Sequence, residues 1–402
     1  MQDTPIARAQ AFMRDNAVDA WLVHDFRVNN HAFSTLVPPA PGAKRWTTRR
    51  CDLFIPARGR PTLLVHAIDA GQFEHAAGLG VERKVFLTWR QWQGELRGLL
   101  QGHAKVAMEY SANNELPVVG VVDAGTVEFV RGVGAEVVSS ADLIQACVAA
   151  WSRQAVELHA QASAQVALIK DHAFDVIRKA HAAGRVIHEH EVVEAIHGGF
   201  RDAGLEWPDG PIVAVNAHAA DPHYEPSPDH PTPIKPGDWV LLDLWARRPG
   251  ESNIFSDITW VAFAGREPTP EHRKVFETVK AARDAAVAAA RAAWSREEPI
   301  RGYQLDDTAR HVIAEAGFEK AVKHRTGHSL SPGQFVHGVG MNLDNLETHD
   351  TRLMLPGIGF TVEPGVYLDG RFGVRLEINL HVDPARGPVV TSCVQDDIVL
   401  LA

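Results

Sequence analysis

Cysteine is scarce in this chain: its three residues, Cys51, Cys147 and Cys393, are widely separated and odd in number. That argues against a disulfide framework and for a reducing, cytoplasmic setting. Positive charge is also short. Lys and Arg total 40 against 50 Asp and Glu, a formal net charge of -10, so the basic stripe that a nucleic-acid partner needs is missing. No apolar run approaches the ~20 residues of a membrane-spanning helix, and the opening segment MQDTPIARAQAFMRDNAVDA holds no apolar leader core. Neither solenoid-period repeats nor low-complexity linkers occur. What remains is a globular composition, 45% hydrophobic and 22% charged over 402 residues, enough for two or three domains.

Upstream of Ser152, strand-like runs (WLVHDF, DLFIPA, PTLLVHA, KVAMEYS) alternate with helical stretches (ELRGLLQG and the segment near Gln72). This is the rhythm of a small α/β domain. The proline-bearing loop VPPAPGAKRWTTRR reads as polar and exposed. Ser152 is placed to cap a long helix that begins near Gln154 and ends at Gly184. The expected domains are therefore residues 1–152 and 153–402. In the second, helices over Glu191–Asp202 and the alanine-rich Pro270–Trp294 alternate with paired strands. WVLLDLW goes with IFSDITWVAF, and GFTVEPGVYL with GVRLEINLHV, each pair an antiparallel hairpin around a glycine-bearing turn. The second domain is thus α+β.

Each of these hairpins carries two acidic residues where apolar ones are expected, Asp243 with Asp257 and Glu363 with Glu377. A single strand carboxylate is most often an edge residue or part of a salt bridge. Four of them, two per hairpin, fit that explanation poorly. If they converge at about 4 Å, each like-charge pair costs on the order of 4 kcal/mol at an effective dielectric near 20. Two divalent cations would cancel the charge and make water between them a nucleophile at neutral pH. An oxygen-rich set with one imidazole suits manganese, zinc or cobalt rather than a thiolate-loving metal. Imidazoles are at hand: His324, His328 and His337 fall within HRTGHSLSPGQFVHGVG, and His223 within VNAHAADPHYEPSP. Alone, each is more often an ordinary polar residue, but the surrounding Gly and Pro mark turns, where functional side chains gather.

The series Asp243, Asp257, His328, Glu363, Glu377, in the settings LLDLWA, SDITW, RTGHSL, TVEPGVY and VRLEIN, closely resembles the pita-bread metallopeptidases. That family includes prolidase, aminopeptidase P, methionine aminopeptidase and creatinase. The resemblance implies a pita-bread catalytic domain; the smaller α/β domain before it looks like prolidase, aminopeptidase P and creatinase. It implies that Asp243 binds one of two divalent ions (manganese first, zinc or cobalt as alternatives) and that Asp257 and Glu377 bridge both. His328 and Glu363 would complete the second site, with Glu363 also shuttling a proton. His223 and His337 would stabilise the reacting carbonyl, and His324 resembles the extra histidine of proline-specific members. Arg375 would take a substrate carboxylate or brace the site, and Tyr367 would orient it. The implied activity is hydrolysis of Xaa-Pro dipeptides by a cytoplasmic homodimer, with the N-terminal domain limiting access. Aminopeptidase P activity on longer peptides is the near alternative, a catalytically silent binding protein the distant one, and creatinase chemistry more remote.

Three departures from the family pattern stand out. Asp243 and Asp257 lie fourteen residues apart around an extended RRPGES turn, His328 and His337 are separated by a lengthened SPGQ loop, and Trp260 stands where many relatives carry arginine. Arg375 or Arg371 would then have to supply the missing cation. Other motifs carry less. In HEHEVVEAIH, His190, Glu194 and His197 share a helix face but lack the i, i+4 histidine pair of a zinc protease, so a solvated face is expected. VHGVGMN does not match a dinucleotide fingerprint, EYSANNELP reads as a turn, and Trp239 and Trp245 read as core.

Overall fold

The computed structural model describes residues 4–40 and 42–402. Residues 1–3 and Pro41, which the sequence reading assigns to the N-terminal domain and its exposed loop, lie outside the described residues. The chain forms two compact units, one running up to Val148 and the other from Ala149 to Ala402.

In the first unit, six strands form one sheet: β1 (Ala20–Phe26), β2 (Arg50–Pro56), β3 (Thr62–His66), β4 (Glu82–Phe86), β5 (Lys105–Met108) and β6 (Glu136–Ser139), in the order β4-β3-β2-β1-β5-β6. Leu22, Phe54, Leu64 and Val106 share a face by strand alternation and pack under Trp92 and Leu96 of the helix Trp89–Leu100 and under Val127 and Val130 of the helix Ala124–Gly132. The segment around Gln72 is a 3-10 helix, Ala70–Leu79, rather than an α-helix, and two glycines within it weaken the longer form. The loop expected to be exposed is only partly so. Arg45 is buried, its guanidinium lying over Phe33 and Phe73 at 5.3 and 5.0 Å while it donates to the Val37 carbonyl. Rings that cover a cation this way let an arginine leave water.

The second unit opens with the helix Arg153–Ala182, whose first turn is capped by Ser152 accepting the Ala155 N–H at 3.1 Å. The strand pair β7 (Ile187–His188) and β9 (Pro233–Ile234) lies beside two four-stranded sheets. One contains β8 (Ile212–Val215), β10 (Trp239–Ala246), β11 (Ser256–Phe263) and β18 (Val399–Leu400), ordered β18-β11-β10-β8. The other contains β12 (Ser329–Leu330), β13 (Gly359–Val362), β16 (Ile378–Asp383) and β17 (Gly387–Val390), ordered β12-β13-β16-β17. β14 (Gly365–Leu368) and β15 (Phe372–Arg375) pair separately. Helices Pro270–Ser295 and Gly302–Glu315 cover one core, and helices Arg153–Ala182 and Glu189–Asp202 the other. The unit is α+β, as its strand pairs imply.

The second hairpin differs from its expected form. GFTVEPGVYL is two strands in two sheets, broken after Val362, and its partner breaks between Arg375 and Ile378. Pro364 has no N–H to continue the ladder. The backbone amides at the breaks bond elsewhere, Glu363 N–H to Thr326 O at 2.7 Å and Glu377 N–H to Thr259 O at 3.2 Å.

His159, on the first helix of this unit, is 1% exposed, with Nε2 2.8 Å from Thr391 Oγ1 and its ring 4.7 Å from Trp151. Burial pushes its pKa down to about 4. The folded chain therefore keeps it neutral where an unfolded chain takes up a proton, and stability is lost as pH falls from about 6.5 to about 4, by up to about 3 kcal/mol. Thermal melts of His159→Gln should fall less steeply across that window than those of the parent protein; parallel profiles would contradict this.

Candidate metal centre

Strands β10 and β11 serve two cores by alternation. Trp239, Leu241, Val261 and Phe263 face one core; Val240, Leu242, Leu244, Ile258 and Ala262 face the other. On the first face the apolar series stops, and the next cross-strand pairs are Asp243 opposite Thr259 and Trp245 opposite Asp257. Both aspartates thus share one sheet face. Glu363 and Glu377 arrive from the broken second hairpin, and His328 from the turn before β12. Gly327 precedes His328 for a steric reason: a Cβ there would lie 2.1 Å from Thr361 O.

These side chains meet. Asp257, His328 and Glu377 offer ligand atoms all within 4.8 Å of one another. His328 Nε2 lies 3.3 Å from Asp257 Oδ2 and 3.5 Å from Glu363 Oε1. The Thr259 hydroxyl joins the remaining members, 2.7 Å from Glu377 Oε2 and 3.2 Å from Asp243 Oδ1, while accepting from Arg375 Nε at 2.9 Å. Arg375 also donates to Asp243 and, at 3.0 Å, to the Tyr367 hydroxyl.

Charge is unbalanced here: four carboxylates face one guanidinium and one imidazole. Burial drives Asp243 up to about 7, with Asp257 and Glu363 adding repulsion and Arg375 opposing it. Burial and the same neighbours hold Glu377 well above the usual carboxylate range, and burial raises Asp257. Glu363 moves the other way. Burial would raise it, but His328, His324 and Arg375 hold it below the ordinary value. Glu377 Oε1 is buried with no hydrogen-bond partner. An orphaned carboxylate oxygen facing His328 and Asp257 suits a hard divalent cation, so the donor set fits metal binding.

Of the other singled-out residues, His324 and His337 lie beside this cluster, whereas Arg371 and Trp260 do not. His324 Nε2 is 2.6 Å from the Tyr367 hydroxyl, and burial lowers its pKa. His337 is exposed, its ring 4.1 Å from that of His328, whose charge is the main cause pushing His337 down to about 3. His223 is exposed, its backbone N–H held by Asp221 Oδ1 at 3.1 Å. Arg371 pairs with Glu271 on the surface. Trp260 points to the opposite face from Asp257 and Thr259, where Lys170 Nζ sits 3.4 Å above its ring. The two extended turns brace each other: Gly333 N–H donates to Glu251 O at 2.8 Å, and Gln334 Nε2 to Glu251 Oε1 at 3.0 Å.

Two expectations need correction. Trp245 is not core; it is half-buried on the carboxylate face, its indole N–H bonded to Asp209 at 2.9 Å. On the helix face of HEHEVVEAIH only Glu194 is solvated: His197 is half-buried, bonded to Gly210 O at 2.8 Å and stacked on Trp207, and His190 is half-buried beside His188. Thr259 was missed, although its position two after Asp257 signals the same face. Also missed was buried Glu189, which accepts the Val215 N–H at 2.8 Å and the Tyr224 hydroxyl at 2.6 Å.

Comparison with known proteins gives these positions a context. A model of metallopeptidase family M24 matches residues 151–384. The Xaa-Pro dipeptidase of Lactobacillus delbrueckii subsp. lactis is 32% identical over 166 residues, 41% of this chain and 40% of that protein. A putative dipeptidase, YkvY, of Bacillus subtilis (strain 168) is 31% identical over 215 residues, 53% of this chain and 54% of that protein. The chain thus spans about half the length of the curated relatives it matches. Among solved structures, dipeptidase PepE from Mycobacterium ulcerans superposes with a TM-score of 0.72 at 21% identity, covering 99% of this chain and 97% of that one. The prolidase from Pyrococcus horikoshii OT3 gives a TM-score of 0.63 at 21% identity, covering 98% and 99%. The pita-bread fold is therefore shared.

Thr259→Val removes one hydroxyl that serves Asp243, Glu377 and Arg375, leaving buried polar atoms unpaired. The metal-stripped protein should lose ~1–3 kcal/mol in denaturant unfolding, with Thr259→Ser recovering most of it; an unchanged midpoint for Thr259→Val would show that the hydroxyl holds nothing together.

Proposed function

Since the chain belongs to metallopeptidase family M24, we propose that Asp243, Asp257, His328, Glu363 and Glu377 hold two divalent cations and that the site hydrolyses the bond before proline in short peptides, Xaa-Pro dipeptides foremost. The observation that carries this reading is the convergence of Asp257, His328 and Glu377 around a carboxylate oxygen with no protein partner. The relative named Xaa-Pro dipeptidase supports the substrate class. In this assignment Asp243 would serve one ion, His328 and Glu363 the other, and Asp257 and Glu377 both. Bound cations supply Lewis acidity, polarising the scissile carbonyl and lowering the pKa of water.

The chain's own groups do the rest. Glu363 is the proton carrier: its side chain is 13% exposed, the most open of the four carboxylates, and its neighbours keep it ionised. It takes a proton from the attacking water and returns it to the leaving proline nitrogen. His337, kept neutral at ordinary pH, and His223 offer hydrogen bonds to the carbonyl oxygen as it gains charge. Arg375 acts as a brace, since its three nitrogens already serve Thr259, Tyr367 and Asp243.

An oxygen-rich donor set favours manganese over zinc or cobalt. Three free thiols suit the cytoplasm, and no helix among the described residues is long and apolar enough to cross a membrane. A homodimer follows from the family resemblance, and sedimentation should then give twice the 44.0 kDa chain mass.

Turnover of Leu-Pro and Met-Pro should fall at least a hundredfold on chelation and return with manganese, while Asp257→Ala stays inactive with every ion. Full activity in the chelated protein would contradict the metal reading. Faster cleavage of the matching tripeptides would instead identify an aminopeptidase.

A further inference from the structure

The first unit contains an ionisable cluster that the peptidase reading does not use. His24 on β1 stands opposite Asp52 on β2, with Nδ1 2.6 Å from Asp52 Oδ1. The second oxygen of Asp52 accepts the Trp92 indole N–H at 2.6 Å. Asp52 is fully buried with both oxygens occupied, so it holds a proton on His24 Nδ1 and turns Nε2 away from itself. That Nε2 faces Asp123 Oδ2 at 3.7 Å, too far for a hydrogen bond. Burial alone would lower the His24 pKa, yet the Asp52 carboxylate more than offsets it and the net shift is upward.

Nε2 opens onto a cavity of about 490 Å³ lined by His24, Phe26, Arg50, Trp92, Asp123 and Phe129. The cavity lies at the C-terminal end of β1, which is antiparallel to β2 on one side and parallel to β5 on the other. Open α/β sheets take ligands beyond the carboxyl ends of their strands. Its walls are charged in opposite senses. Arg50 lies 4.3 Å above the Trp92 ring, which holds its guanidinium in place. Asp123 caps the helix Ala124–Gly132, with Oδ1 accepting the Thr126 N–H at 3.0 Å and Oδ2 the Thr126 hydroxyl at 2.5 Å. Its side chain remains 61% exposed. Trp92 and Phe129, ring centroids 5.4 Å apart, supply an apolar wall.

We propose that this cavity binds a free α-amino acid as a zwitterion, its carboxylate on Arg50, its ammonium on Asp123, and its apolar side chain against Trp92 and Phe129. A phosphate group is a poorer occupant, because Asp123 already stands at the helix N-terminus where a phosphate would sit. A metal ion is poorer too, with a guanidinium and aromatic rings among the lining groups. The assignment goes beyond the peptidase reading and does not depend on it.

The test is calorimetric titration of the full-length, metal-loaded protein with L-leucine, 4-methylpentanoate (carboxylate only) and isopentylamine (amine only). L-Leucine should bind saturably, each single-charge analogue at least tenfold more weakly. Arg50→Gln and Asp123→Asn, the latter keeping a helix cap, should each weaken L-leucine at least tenfold while melting as the parent does. Asp257→Ala should bind it within twofold of the parent, because the metal centre is not the site. No saturable binding of L-leucine would overturn the proposal. So would equally tight binding of 4-methylpentanoate, or a signal lost in Asp257→Ala but kept in Arg50→Gln and Asp123→Asn.

Discussion

Repulsion among four clustered carboxylates is the constraint around which the second unit is built. Two carboxylates about 4 Å apart repel by on the order of 4 kcal/mol when both are ionised, at an effective dielectric near 20. The protein offsets part of this. Arg375 neutralises Asp243, the Thr259 hydroxyl links Asp243 to Glu377, and His328 faces Asp257 and Glu363. These contacts leave Glu377 Oε1 unpaired and force Asp243 and Glu377 toward the protonated form. In the proposed reading, cations displace those protons.

The same constraint accounts for the irregular backbone. A continuous second hairpin would project Glu363 and Glu377 from unbroken ladders, at fixed strand spacing from their neighbours. Breaking both strands beside these residues frees their amides to bond Thr326 and Thr259, which pins each carboxylate to the element carrying its partner. Thr361 completes the arrangement, accepting the His328 N–H at 2.9 Å and donating to Glu363 at the same distance. The mutually braced turns around Glu251 and Gly333 carry extra chain length at the periphery without disturbing the β10–β11 register.

Much of this was legible in the sequence because strand alternation is a strict code. VLLDLW and SDITWVAF show both core faces and put Asp243 and Asp257 on one of them, and Ser152 with Gly184 marks a helix by its caps. What stayed hidden depends on contacts distant in sequence. Nothing local distinguishes Thr259 as the residue shared by Asp243, Glu377 and Arg375, more than a hundred positions away for two of them. Trp245 looked apolar enough for the core, whereas its place opposite Asp257 puts it half in solvent. Glu189 lay in a motif weighed for its histidines, and its burial depends on Val215 and Tyr224 from elsewhere in the unit. In the first unit, His24 and Asp52 become partners only through the register of β1 on β2.

Whether cations take over the balancing of charge from protons is measured by adding manganese to chelated protein in weak buffer at about pH 6.5. Bound ions and released protons are counted together. Two ions should bind per chain, with protons released as Asp243 and Glu377 ionise. Uptake of no metal, or binding that liberates no protons, would contradict this.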